Sequence, residues 1–179
     1  MAPHRDCIMA RFFTLFILLT TALFAAQLTP PVQQGFVIPF TSAIAALSAL
    51  LMQAWDDQVM AQGKLIWDAA SGFAVSIEAG CNGIEAGIML TAAMVAFPAT
   101  WREKLIGIAT GMLTVQALNL LRIVTLFYLG QWNETWFEWA HLYLWQALIM
   151  LDVLAVFLLW LRWLARRRPA PPSPKGAHA

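Results

Sequence analysis

Ten consecutive residues hold the densest group of chemically useful side chains in this chain. The stretch Glu78 to Gly87 reads EAGCNGIEAG and places Cys81 between two glycines and two carboxylates. A thiol at the start of a helix feels the positive end of the helix dipole and nearby backbone N–H groups, which lower its pKa. We therefore expect Cys81 to act as a thiolate nucleophile, although the commonest fate of a lone cysteine is a buried, inert thiol.

Two further residues could complete a site around this thiol. Arg122 lies in the apolar segment LNLLRIVTLFYLG, where a charge costs at least about 2.5 kcal/mol and therefore points to function. It could stabilise developing negative charge, while His141, at the start of HLYLWQALI, could serve as a base or an acid. A structural alternative stays open, in which Arg122 pairs with Glu85 or Asp152 inside the protein.

Three polar residues are expected to support the site. Glu85 follows Cys81 by four positions, so on a helix it would share the face of the thiol and could orient the arginine or the histidine. Asn119 precedes Arg122 by three positions and should lie on the same face. Asn82 directly follows the nucleophile. The sequence has no zinc-ligand spacing, no phosphate-binding glycine loop and no GxSxG motif, so we expect neither a metal nor a cofactor.

The composition is typical of a membrane protein. Of the 179 residues, 60% are hydrophobic and 12% are charged, whereas soluble domains are about half apolar and about a quarter charged. The apolar residues collect in runs near the roughly 20 residues that cross about 30 Å of hydrocarbon. The two cysteines cannot form a disulfide framework, and Cys7, which lacks polar neighbours of this kind, is interpreted as incidental.

The apolar runs predict an all-α polytopic membrane protein with about five helices, over residues 8–28, 35–54, 84–100, 105–129 and 141–163. The polar connection over residues 55–83 contains the alternating segment FAVSIEA, which predicts a short extended strand before the nucleophile. Residues 1–163 would form the membrane domain. Residues 164–179 would form a disordered, Pro-rich, basic tail, whose place beside a membrane helix favours anionic lipid as a partner rather than nucleic acid.

The cations predict the orientation of the last three helices. Seven of them lie at one face of the predicted bundle: Arg102, Lys104, Arg162, Arg166, Arg167, Arg168 and Lys175. By the positive-inside rule this face is cytoplasmic, so Cys81 and His141 face the outside. If the N-terminus is also inside, residues 35–54 cannot cross fully, and the charges favour this arrangement over one with an outside N-terminus.

The first apolar run has two interpretations. A signal peptide would also have a basic start and an apolar centre. The small residues Ala25 and Ala26 follow Phe24, so the small-x-small pattern of a cleavage site is missing. The sequence therefore favours a retained helix.

The segments IEAGCNGIEAG, LNLLRIVTLFYLG and HLYLWQALI, in this order, resemble the exosortase/archaeosortase family, and CNGIEA is most similar to its exosortase H branch. The resemblance covers roughly residues 28–163. It implies a multi-pass enzyme of the bacterial plasma membrane that cleaves proteins with a C-terminal sorting signal, made of a short motif, a transmembrane helix and a basic cluster. It also implies that Cys81 is the nucleophile of a thioester intermediate, with Arg122 and His141 as its partners, and that an unknown acceptor or water completes the reaction.

One position departs from the pattern, since many members read Cys-Ser-Gly where this chain has Cys-Asn-Gly. This departure leaves the nucleophile in place and suggests a subgroup with its own signal preference. Two alternatives to an enzyme stay open: a membrane subunit held together by internal ion pairs, and a small transporter or channel. The transporter is the weaker alternative, because the polar residues near Arg122 gather at one end of their helix.

Overall fold

The structure, a computed structural model, describes residues 3–167, with side chains described from Met9 onward. This part of the chain forms five helices: α1 Pro3–Gln27, α2 Pro30–Met52, α3 Ile84–Ala96, α4 Trp101–Trp132 and α5 Glu134–Arg167. Four of them are long and apolar enough to cross a membrane, and α3 is a shorter apolar helix of 13 residues. The prediction of an all-α polytopic membrane protein is therefore confirmed.

Local capping chemistry sets several helix ends. Pro30 opens α2 five residues before the predicted start, because the first turn of a helix does not need the N–H that proline lacks. Thr100 opens α4 through a capping box, in which its hydroxyl accepts from the N–H of Glu103 and its own N–H donates to the Glu103 carboxylate. These caps are visible in the sequence only once the helix ends are known.

The region between α4 and α5 differs most from the sequence-based expectation. A connection was predicted over residues 130–140, but α4 continues to Trp132 and α5 begins at Glu134. The single residue between them, Asn133, caps α5 by accepting a hydrogen bond from the N–H of Trp136 at 3.1 Å. His141 therefore lies two turns inside α5 rather than at its start.

The last helix also runs past the predicted boundary of the membrane domain. It continues through Arg167, and Leu164 is 2% exposed and packs in the core beside Trp160. Residues 164–167 thus belong to the helix rather than to the predicted tail, and residues 168–179 lie outside the described part of the chain. Cys7 is in α1, but its side chain is outside the described ones.

A small antiparallel sheet fills the connection between α2 and α3. Its strands are β1 Val59–Gln62, β2 Leu65–Asp68 and β3 Ala74–Ser76, in the spatial order β1-β2-β3. The third strand lies within the predicted extended segment, whereas the first two were not predicted. Gly63, with φ of 57°, supplies the left-handed residue that the tight turn between β1 and β2 needs.

Two apolar cores hold these elements together. One joins α2, the sheet and the end of α4, and its buried residues are Ile44, Ala45, Ala49, Met52, Val59, Ile66, Ile77, Ile123 and Phe127. The other joins α3, α4 and α5 nearer the opposite end of the bundle. There Gly107 lets Trp160 approach closely enough for its indole N–H to donate to the carbonyl of Glu103 at 3.1 Å. The first core is the one that positions the connection before α3.

Side-chain contacts also fix the direction of the first two helices. α1 runs antiparallel to α3, because Gln27 bonds to Glu85 at the start of α3 while Phe12 packs on Phe97 just beyond its end. The start of α1 therefore lies at the end of the bundle where α4 begins. α2 starts beside Gln27 and leads to Trp55, which donates to Tyr128 near the end of α4. Both ends of α2 thus contact the half of the bundle that contains the sheet.

Candidate active site

Cys81 lies in a tight connection between β3 and α3. Its N–H donates to the carbonyl of Glu78 at 2.9 Å, and the glycines at 80 and 83 have φ of 83° and 78°. Such left-handed conformations suit glycine, which has no Cβ to clash with the backbone. Since α3 begins only at Ile84, the thiol precedes the helix instead of lying in its first turn.

Asn82 anchors this connection from the next position. Its side chain is 1% exposed, and its Nδ2 donates to the hydroxyl of Thr41 on α2 at 3.0 Å. Its Oδ1 accepts from the N–H of Ile84 at 3.0 Å, which satisfies one of the free donors at the start of α3. One amide therefore fixes the residue beside the thiol to both neighbouring helices.

Arg122 contacts Cys81 directly. Its Nη1 donates to the carbonyl of Gly80 at 3.1 Å, and its Nη2 lies 3.5 Å from Sγ of Cys81. The side chain is 2% exposed, and it projects from α4 at a point about 32 Å along the axis from Trp101. That distance is about the thickness of the bilayer hydrocarbon, so if one boundary lies at the start of α4, the other would lie near Arg122.

The protonation of Cys81 differs from the sequence-based expectation. Burial raises the pKa of the thiol, and this effect, together with the carboxylates of Glu85 and Glu78, outweighs the lowering by Arg122. The expected lowering by a helix dipole is therefore wrong, because the thiol is not in the first turn of α3. Burial and the two carboxylates therefore favour the neutral thiol over the thiolate.

His141 lines the same cavity as Cys81 and Arg122. It lies in a π-helical turn of α5, Ala140–Leu144, and such turns are frequent at functional sites. Its ring stacks on Phe137 with centroids 5.6 Å apart and planes 5° apart. Within residues 3–167, its buried Nδ1 has no hydrogen-bond partner, and no hydrogen bond joins the ring to Cys81.

The cavity that these three residues line has a volume of about 570 Å³. Pockets of roughly 300–1,000 Å³ are typical of ligand sites in proteins. The segment over residues 73–78 lines it, together with Cys81 and residues of α4 and α5. The structure thus brings all three predicted catalytic residues to one cavity.

The remaining predicted residues have other contacts. Glu85 accepts a hydrogen bond from Gln27 of α1 at 2.9 Å and bonds to neither Arg122 nor His141, so the expected orienting role has no contact in the structure. Asn119 is fully buried one turn from Arg122, on the same face of α4 as predicted, and its Nδ2 lies 3.5 Å from Oε1 of Gln116.

Sequence reasoning missed two partners of the site. The Gly80 carbonyl, which holds the guanidinium, could not be found from side-chain types because it belongs to the backbone. Phe137 could have been found, since it precedes His141 by four positions and would share its face on a helix. It was missed because the helix was expected to begin at His141.

The fold and the cavity define a class, namely polytopic membrane proteins with a cysteine, an arginine and a histidine around one space at one end of a helix bundle. The chain matches the family described as Transmembrane exosortase (Exosortase_EpsH) over residues 5–151. It therefore belongs to the transmembrane exosortase family, as the sequence motifs suggested. No curated protein and no solved structure matches the chain significantly.

Proposed function

We propose that this protein is a membrane-embedded cysteine protease or transpeptidase that cleaves the C-terminal sorting signal of exported proteins. The signal comprises a short motif, a transmembrane helix and a basic cluster. The observation that carries the proposal is the 3.5 Å contact between Nη2 of Arg122 and Sγ of Cys81, in a cavity that His141 also lines. Membership of the exosortase family supports the same activity.

The positive charges at one end of the bundle favour a site at the outer face of the plasma membrane, because the candidate site lies at the other end. Arg102 and Lys104 lie at the start of α4, and Arg162, Arg166 and Arg167 lie at the end of α5. By the positive-inside rule these ends face the cytoplasm. A substrate anchored by its own membrane helix would present the peptide just outside that helix at the depth of Arg122. Tethering also raises the effective concentration of the substrate.

The first half of the reaction forms a thioester. His141 takes the proton of the neutral Cys81 thiol, and Sγ attacks the carbonyl carbon of the scissile peptide bond. The guanidinium of Arg122 donates to the oxyanion that develops. His141 then returns the proton to the leaving nitrogen, the C–N bond breaks, and the membrane helix of the substrate departs with a new N-terminus.

The second half releases the product. An acceptor nucleophile, or water, loses a proton to His141 and attacks the thioester carbonyl. The second tetrahedral intermediate collapses, the C–S bond breaks, and the sulfur regains a proton from His141. Every proton in this scheme moves through the imidazole, and His141 lines the same cavity as Cys81.

The alternative of a non-enzymatic subunit depends on internal ion pairs. In the described residues, Arg122 forms no ion pair with Glu85 or Asp152, and its side-chain bonds go to the connection that contains Cys81. A purely structural arginine would not need a thiol as its partner. The contacts of Arg122 therefore favour the enzyme.

The test is to trap the thioester. The purified protein is mixed in vesicles with a protein of the same cell that ends in a short motif, one apolar helix and a basic cluster, and intact mass is measured after acid quenching. We expect an adduct on Cys81 and its loss in Cys81→Ser, while Cys7→Ser, the matched control, retains it. A reactive Cys81 thiol that never forms an adduct would contradict the proposal.

A further inference from the structure

The cavity runs along the edge of the sheet and not across one of its faces. Six consecutive residues, from Phe73 to Glu78, line it. Successive side chains of a strand point to opposite faces, so a cavity on one face would touch only every second residue. Because the cavity contacts every residue of this run, it lies beside the edge of β3. A molecule in the cavity can therefore reach the backbone of the strand.

The ladder between β2 and β3 shows which backbone groups this edge presents. Asp68 bonds to Phe73 and Lys64 to Ile77, both at 2.9 Å, and the register pairs Ile66 with Val75. Bonded pairs alternate along an antiparallel ladder, so Phe73, Val75 and Ile77 direct their N–H and C=O groups toward β2.

The residues between them point the other way. The N–H and C=O groups of Ala74 and Ser76 face the free edge, because β3 is the last strand of the sheet. Neither residue is buried. The free edge therefore offers two donors and two acceptors to whatever occupies the cavity.

Apart from Cys81, the rest of the lining comes from the last two helices. α4 and α5 contribute Arg122, Ile123, Leu126, Gly130, Glu134, Phe137 and His141. The space between the strand edge and the helices is therefore lined partly by apolar side chains. The thiol of Cys81, the guanidinium of Arg122 and the imidazole of His141 also line it. An extended peptide in this space would share one cavity with the free edge of β3 and with the thiol.

We propose that the substrate binds as a fourth strand along β3, pairing its main chain with Ala74 and Ser76. The occupant is the extended peptide segment directly outside the substrate's membrane helix, so the inference rests on the proposed function. Three paired residues would span roughly 10 Å at about 3.3 Å each. Strand addition draws affinity from the main chain, and the alternate side chains add specificity.

Proline substitutions test this pairing selectively. Ser76→Pro or Ala74→Pro removes an N–H that faces the cavity and fills the edge with a ring, yet leaves the ladder to β2 intact. Ser76→Ala is the matched control, since it removes the hydroxyl that bonds Glu78 and keeps the N–H. Val75→Pro should instead break the ladder and lower the yield of folded protein.

The first measurement is processing of the tailed substrate in vesicles. We expect each edge proline to raise KM at least tenfold, with unchanged insertion and unchanged alkylation of Cys81 by iodoacetamide. Ser76→Ala keeps the N–H that faces the cavity, so its KM should rise by a smaller factor than that of Ser76→Pro. An unchanged KM in both Ala74→Pro and Ser76→Pro, when both are folded, would overturn the strand pairing. It would not contradict the proposed peptidase activity.

The second measurement does not depend on catalysis. A synthetic peptide containing the tail segment, ¹³C-labelled at the carbonyls before its helix, is added to the Cys81→Ala protein in vesicles, and its amide I band is recorded. We expect a shift to β-strand frequencies that is lost when Ser76→Pro is added. Absence of the shift would overturn the pairing. A shift without any processing by the unmodified protein would support the pairing and overturn the proposed activity instead.

Discussion

The side-chain amide of Asn82 donates to the hydroxyl of Thr41 at 3.0 Å, although 41 positions separate the two residues. Asn82 is the neighbour of Cys81, so this bond fixes the connection that contains Cys81 to α2. The same amide caps α3 through its oxygen. α2 therefore supports the site, even though none of its side chains lines the cavity.

The bond between these residues predicts non-additive substitutions. Thr41→Val removes the acceptor and leaves the buried Nδ2 of Asn82 unpaired, which should cost about 1–3 kcal/mol of unfolding free energy. Asn82→Ala should cost a similar amount, because it loses this bond and the cap. In the double variant the loss of unfolding free energy should be smaller than the sum of the two single losses. Thermal unfolding in detergent micelles measures all three. Ser42→Ala, whose exposed hydroxyl bonds only to its own helix, is the control; strictly additive losses would contradict the coupling.

The grouping of the three catalytic candidates could be predicted from the sequence. Successive helices return to the same end of a bundle, so Cys81, Arg122 and His141 had to share one end once the helices were counted. The contact between the thiol and the guanidinium could not be predicted in this way. It depends on the carbonyl of Gly80, whose direction is set by a left-handed backbone and by the packing of the sheet on α4.

Two other features of the structure could not be obtained from the sequence, for identifiable physical reasons. The spacing rule that linked Glu85 to Cys81 holds inside a helix, but α3 starts between them, and Glu85 turns to Gln27 instead. The strands β1 and β2 have four residues each and alternate in burial but not in polarity, since Met60 and Leu65 are exposed and Asp68 is buried. Short strands of this kind give too weak a pattern to be recognised.

Arg122→Lys should abolish most of the processing activity. An ammonium cannot hold the Gly80 carbonyl and face the thiol with two fixed donors at once, as the guanidinium does. We expect kcat for the tailed substrate to fall by about 100- to 1,000-fold, the usual effect of losing an oxyanion donor. Arg102→Lys, at an exposed position at the start of α4, should be silent. A wild-type kcat in Arg122→Lys would show that the arginine takes no part in the reaction.

The reactivity of Cys81 should depend on pH in a defined direction. Because burial raises the pKa of this thiol, its alkylation rate in a Cys7→Ser background should rise with an inflection above that of an ordinary thiol. Glu85→Gln removes a nearby negative charge and should move the inflection to lower pH. Arg122→Gln removes a positive charge and should move it higher. The measurement is the iodoacetamide rate between pH 7 and about pH 11, and an inflection below that of free cysteine would contradict the assignment.

Two glycines beside the nucleophile should differ in their tolerance of alanine. Both have left-handed backbones, so either substitution should cost about 1–2 kcal/mol of unfolding free energy. A Cβ on Gly80 would meet nothing within 4 Å, whereas one on Gly83 would lie 2.7 Å from Nε2 of Gln116. Gly83→Ala should therefore lower the thermal unfolding temperature more than Gly80→Ala, and adding Gln116→Ala should remove the difference. If Gly83→Ala is still the more damaging substitution in the Gln116→Ala background, the clash is not its cause, and the backbone at the start of α3 must be more strained than at Gly80.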